Sequence, residues 1–225
     1  MFIGHFAVGF GAKKAAPAVS LGTLFAACQL ADLLWPTLVL TGIERVELQP
    51  GATAVTPLNF ISYPYSHSLV ALGGWAALFG AGYVIVRRAR MVSAAAIALL
   101  VLSHWLLDFI THRRDMPLTL TGDTRVGLDL WASRPATVAV ECVMFAVGVA
   151  LYVRATAARD RIGSIGLWSL LAFMVVVYVM AIFGPMPPSV AAVAWTAQSL
   201  WLLVAWAYWV DGHRRAEGRG QRAEG

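Results

Sequence analysis

Five residues carry the chemistry of this sequence: His5, Asp32, His67, His104 and Asp108. His5 stands in GHFAVG, Asp32 in AACQLADLLWP, His67 in YPYSHSL, and His104 and Asp108 in LSHWLLDFITHRRD. Each lies in or beside a long apolar run, where an ionisable group is costly and reads as a functional residue by default. Imidazole nitrogens and carboxylate oxygens suit Zn²⁺ or a similar first-row divalent ion. His104, Asp108 and His112 follow one another at four-residue steps, which stacks them on one helical face. A His and a carboxylate one turn apart can grip one ion. His112 falls at the edge of the helical run, so its place on that face stays open.

The elements that position these residues are membrane helices. Of the 225 residues, 59% are hydrophobic and only 13% charged, and the mean hydropathy is +0.70. A soluble domain carries about 25% charged residues. These figures exclude a disordered chain and an ordinary soluble enzyme. The net charge is +5, but the Arg residues flank apolar runs, as topology determinants do. A nucleic-acid interface would gather them on one segment, so no nucleic-acid partner is expected. Cys28 and Cys142 lie inside apolar runs and read as buried apolar residues, not a disulfide.

The fold class is all-α: a polytopic integral membrane protein with about six spans. They are expected at 17–40, 66–86, 91–110, 136–153, 164–184 and 189–210, after a short apolar helix at 2–12. Eleven residues cannot cross a bilayer core of about 30 Å, so the short helix is expected to be re-entrant or interfacial. Residues 1–211 form one transmembrane domain, and 212–225 read as a disordered polar tail. Twelve of the 17 basic residues fall at one set of span ends and five at the other. This asymmetry predicts both termini in the cytoplasm.

Helical rise brings the same residues to one depth. Asp32 lies about 24 Å from the cytoplasmic end of its span, and His104 about 21 Å beyond Arg90. Asp108 lies one turn further and His67 opens its span from the outer side, so three spans bring these four residues to the outer half of the bilayer. His5 reaches them only if the N-terminal helix turns toward the midplane. Taken singly, each is also explained as an interhelical hydrogen-bonding group. Glu141, early in the fourth span, is expected to pair with Arg134. The tryptophans near span ends, Trp131, Trp195, Trp201, Trp206 and Trp209, read as an aromatic belt with packing.

The ordered set of His5, Asp32, the SHS of residues 66–68 and SHWLLDFIT at 103–111 resembles a bacterial inner-membrane family. The family is known as membrane-bound metal-dependent hydrolases, and its original member was described as LexA-regulated. The likeness covers about residues 1–120. It implies a metal site of His5, Asp32, His67, His104 and Asp108, with Ser66, Ser68, Ser103 and Thr111 hydrogen-bonding behind the ligands. The family's Pro-Asp-x-Asp phrase has a single acidic residue here, Asp32, and the first His of its His-Arg phrase is replaced near Tyr63. These departures favour one ion over two.

A divalent metal, Zn in the first instance, would lower the pKa of water from 15.7 toward about 7. Asp32 or Asp108, whichever does not bind the ion, would be the catalytic base. The depth suits a lipid or lipid-linked ester or phosphoester, and Arg113 and Arg114 could hold a phosphate bidentately or stand in a solvated loop. Two other classes fit the same residues. One is a proton or metal-ion transporter or channel. The other is an assembly protein with a vestigial site.

Overall fold

The computed structural model describes residues 1–121 and 123–216. The helices come in chain order: α1 (Ile3–Ala15), α2 (Leu21–Cys28), α3 (Leu30–Leu40), α4 (Pro64–His67), α5 (Leu69–Arg87), α6 (Met91–Thr111), α7 (Arg134–Ala155), α8 (Arg161–Phe183), α9 (Val190–Gln198) and α10 (Leu200–Gly212). Among the described residues, five stretches are long and apolar enough to cross a membrane, and α2 with α3, bent by 56°, can make a sixth span. The all-α, membrane-type architecture expected from composition is the one observed. Large apolar side chains point outward along the long helices, among them Leu78, Ile85, Leu99, Val143, Ile165 and Val176. That surface suits lipid and not water.

Local sequence sets the helix boundaries. Ser20, Ser68, Ser133, Asp160 and Ser189 each accept a hydrogen bond from a first-turn N–H, as N-caps do. Helix α5 ends with Arg88 in the left-handed region at φ 47°. Because Ser68 caps α5, His67 does not open that span; it sits on the separate short turn α4.

Helix α1 is the centre of the molecule. Its 13 residues measure about 20 Å, roughly two-thirds of a bilayer core, and Ile3, His5, Phe6 and Phe10 are all at most 1% exposed. It packs against α2, α6 and α7. Phe10 meets Phe25, Phe145 and Tyr152 edge-on. A Cβ at Gly148 of α7 would stand 2.2 Å from the backbone oxygen of Ala7, so only glycine allows the two helices to approach so closely. The N-terminal end of α1 is held by Glu141, whose Oε2 accepts from the N–H groups of Phe2 (2.9 Å) and Gly4 (3.1 Å). These are two of the donors that every helix start leaves without a partner. The expected Glu141–Arg134 pair does not form. Arg134 instead donates to the carbonyl of Ala54.

The two ends of the bundle differ. At one end Lys13 bonds Asp211 at 2.8 Å, and strand β5 (Thr156–Ala158) pairs with β6 (Arg214–Ala216). Residues 214–216 of the expected disordered tail are therefore a strand, anchored by the buried Arg214 on Thr156 and Gly163; residues 217–225 lie outside the described residues. The other end is a cap over the bundle. It contains the hairpin β1 (Arg45–Leu48) and β2 (Leu58–Ser62), the small ladder β3 (Met116–Pro117) and β4 (Arg125–Val126), and a 3₁₀ turn at Leu130–Ala132. Trp131 is buried there against Phe60 and His112. Trp195, Trp201 and Trp209 are exposed, as belt residues are.

Candidate metal centre

Four helices bring five residues together beneath that cap. Helix α1 brings His5, α3 brings Asp32, α4 brings His67, and α6 brings both His104 and Asp108. Asp108 is the hub. Its Oδ1 lies 3.0 Å from His5 Nε2, and its Oδ2 lies 3.1 Å from His104 Nε2 and 3.8 Å from His67 Nε2. Asp32 Oδ1 lies 3.4 Å from His67 Nε2 and 3.9 Å from His104 Nε2. The imidazoles of His5 and His104 stack at 3.8 Å. The Met1 amino nitrogen also lies 2.8 Å from Asp108 Oδ1. Two ligand triplets result, His5–His104–Asp108 and Asp32–His67–His104, with His104 common to both.

Hydrogen-bond partners on the outer side of the His104 and His67 rings fix what the cluster presents at its centre. The Nδ1 of His104 lies 2.8 Å from the carbonyl of Cys28. A carbonyl only accepts, so Nδ1 carries the hydrogen and Nε2 turns a lone pair inward. The break at Gln29, where α2 ends and α3 begins, leaves the Cys28 carbonyl at the end of a helix. His67 is fixed by a longer relay. Glu44 Oε1 accepts from the N–H groups of Tyr65 and Ser66, both at 2.8 Å, and Glu44 Oε2 accepts from Ser66 Oγ at 2.6 Å. That uses the single hydroxyl hydrogen of Ser66. Its Oγ, 2.7 Å from His67 Nδ1, must accept, so the Nε2 of His67 is also a lone pair. Both nitrogens face carboxylates, which only accept when ionised. Lone pairs and anions converge on one spot, and His104 Nε2 has no hydrogen-bond partner. This donor set is able to hold a cation. Imidazoles whose outer nitrogen is tied to a carbonyl or hydroxyl are typical of metal ligands.

The cluster is open on one side. The Asp32 side chain is 27% exposed, whereas His67, Asp108, His5 and His104 are each at most 4% exposed. Asp32, His67 and Asp108 face a pocket of about 200 Å³. Its other walls come from the cap, from α7 and from α8, with Phe60, His112, Glu141 and Ile182 among them.

The structure separates the remaining candidates. Ser66 holds His67 directly. Ser68 caps α5, and Ser103 bonds the carbonyl of Leu100; neither backs a ligand. Thr111 bonds the carbonyls of Leu107 and Asp108, so it touches only the backbone of the site. His112 leaves the metal face because α6 ends at Thr111. Its Nδ1 lies 3.0 Å from Asp115 Oδ1, beside Tyr63. Burial, with the Asp115 carboxylate next, holds the Tyr63 phenol well above its ordinary 10, so it stays a neutral donor. Arg113 is taken up by Asp115 and Asn59, Arg114 is exposed, and neither lines the pocket. Glu44 was not foreseen. It follows a turn after α3, without periodicity or a partner in sequence to mark it. Comparison with known proteins finds no matching family model, curated protein or solved structure.

Proposed function

We propose that this protein is a membrane-embedded, metal-dependent hydrolase acting on a lipid or lipid-linked ester or phosphoester. The observation that carries the reading is the convergence of two fixed Nε2 lone pairs and two carboxylates on the floor of a pocket. A divalent ion held there, Zn²⁺ in first place, would supply Lewis acidity and acidify water. His5, His104 and Asp108 form the buried side of the site. Asp32 stands at its open side, where it can take a proton from an attacking water. The apolar pocket walls suit the chain of an amphiphile. The residue pattern shared with the membrane-bound metal-dependent hydrolases supports the same reading. It also supports residence in a bacterial inner membrane, with the basic ends of the bundle in the cytoplasm.

Elemental analysis of the detergent-purified protein tests this, beside a His104→Ala/Asp108→Ala double variant. About one Zn, Mn or Fe per chain is expected in the wild type and none in the variant. No metal in either, even after loading at neutral pH, would overturn the hydrolase and leave a proton path or hydrogen-bond network in its place.

A further inference from the structure

Two hydrogen-bond donors in the pocket wall have no acceptor among the described residues. They are the indole Nε1–H of Trp35 on α3 and the phenol of Tyr178 on α8. Both residues line the pocket into which Asp32, His67 and Asp108 open, and they are 6% and 4% exposed. Buried donors are almost always paired, and an unpaired one destabilises the fold. Two such donors on separate helices beside one candidate centre point to an acceptor that arrives with the ligand.

The charge of the pocket indicates which acceptor. Its lining side chains include the carboxylates of Asp32, Asp108 and Glu141 and no Lys or Arg. A phosphomonoester dianion would meet three carboxylates against a single ammonium, that of Met1, which Asp108 already engages at 2.8 Å. An acyl ester is neutral, and its carbonyl oxygen accepts hydrogen bonds from neutral donors. The wall by Tyr178 continues through Ile182 to Ala181, which is exposed on the outer surface of α8. An apolar chain can therefore lie along that helix.

We propose that Trp35 and Tyr178 form an ester-oxygen subsite, and that the substrate is an uncharged carboxylic ester of a membrane amphiphile. The proposal rests on the hydrolase reading above. Water adds to the carbonyl carbon, the bond from that carbon to the alcohol oxygen breaks, and a proton from the water passes to the departing alkoxide. The products are a carboxylic acid and an alcohol, and nothing is oxidised or reduced. Donors fixed before the reaction stabilise the charge that builds on the ester oxygen.

Equilibrium binding to the purified full chain in lipid nanodiscs tests the proposal with three probes. They are 1-oleoylglycerol, the 1-O-oleyl glyceryl ether that lacks the carbonyl, and 1-oleoyl lysophosphatidic acid. The ester is expected to bind about tenfold tighter than the ether. Tyr178→Phe should remove roughly tenfold from ester binding and leave ether binding unchanged, with Trp35→Phe acting the same way. The melting temperature of Tyr178→Phe should hold or rise, because the substitution deletes an unpaired hydroxyl. Tighter binding of the lysophosphatidic acid, ester binding unaffected by Tyr178→Phe, or a lowered melting temperature for that variant would overturn the subsite. Metal content in the same samples separates the two readings. Metal-loaded protein without ester preference sinks the subsite alone. Metal-free protein that still prefers the ester in a Tyr178-dependent way supports the subsite and sinks the hydrolase.

Discussion

Ser66 has one hydrogen to give, and Glu44 takes it. That fact places the hydrogen of His67 on Nδ1 and leaves Nε2, which faces Asp32, as a lone pair, and it makes Glu44 a positioning residue for the site although it lies outside the pocket lining. Ser66→Ala frees His67 Nδ1 and lets the ring change tautomer or turn. Metal affinity should fall about 10–100-fold, measured by competition against a chelating dye. Glu44→Gln should fall in the same range, because an amide can donate to Ser66 and reverse the relay. Unchanged affinity in both variants would show that His67 is not a ligand. The five inward-facing residues were legible in the sequence because an ionisable side chain in an apolar run is conspicuous. Of their orienting partners, Ser66 was implied by the family resemblance, whereas Glu44 and the Cys28 carbonyl were not. Glu44 sits in a loop where carboxylates are common, and the carbonyl of Cys28 belongs to the backbone, where residue type says nothing.

At the scale of elements, the site depends on how deeply α1 is set. The overlap of any Cβ at Gly148 with Ala7 makes α7 the wall against which α1 is registered. Gly148→Ala should destabilise the protein by about 1–3 kcal/mol, the usual cost of overpacking, and should displace His5 enough to lower metal retention. Gly82→Ala on α5, where an added Cβ meets nothing within 4 Å, should be neutral or stabilising by about 0.5–1 kcal/mol. Thermal melts in detergent read both, and equal melting temperatures would show that the α1–α7 approach tolerates a side chain. The length of α1 was visible in advance and ruled out a full span, but its burial was not. Hydropathy reports how apolar a segment is and not what surrounds it. Glu141 was misassigned for a related reason: its partners are backbone N–H groups of a helix more than 130 residues away, while Arg134 was near in sequence.

Across the whole molecule, basic residues gather at the end built from β5, β6 and the Lys13–Asp211 pair, and the cap over the site lies at the other. Cys142, expected to be buried, is exposed on α7, whereas Cys28 is buried; with Cys142 replaced by alanine, single cysteines at the exposed positions Thr119 and Arg159 report the orientation. A membrane-impermeant maleimide added to intact cells should label Thr119→Cys and spare Arg159→Cys; the reverse pattern would put the site at the cytoplasmic face. The number of spans and the gathering of the five residues were readable from the chain, since both follow from hydropathy and helical rise. The bend between α2 and α3 was not, because no proline or glycine stands at Gln29 to announce it. The central seat of α1 has a consequence for synthesis. All five candidate ligands have been translated by residue 108, yet α7, which holds α1 in place, is complete only at Ala155. At about 5–20 residues per second, the ribosome needs a few seconds to close that gap. During that time the N-terminal segment is too short to span the bilayer alone and lacks its wall, so a nascent chain halted after α6 would carry every ligand and no finished site.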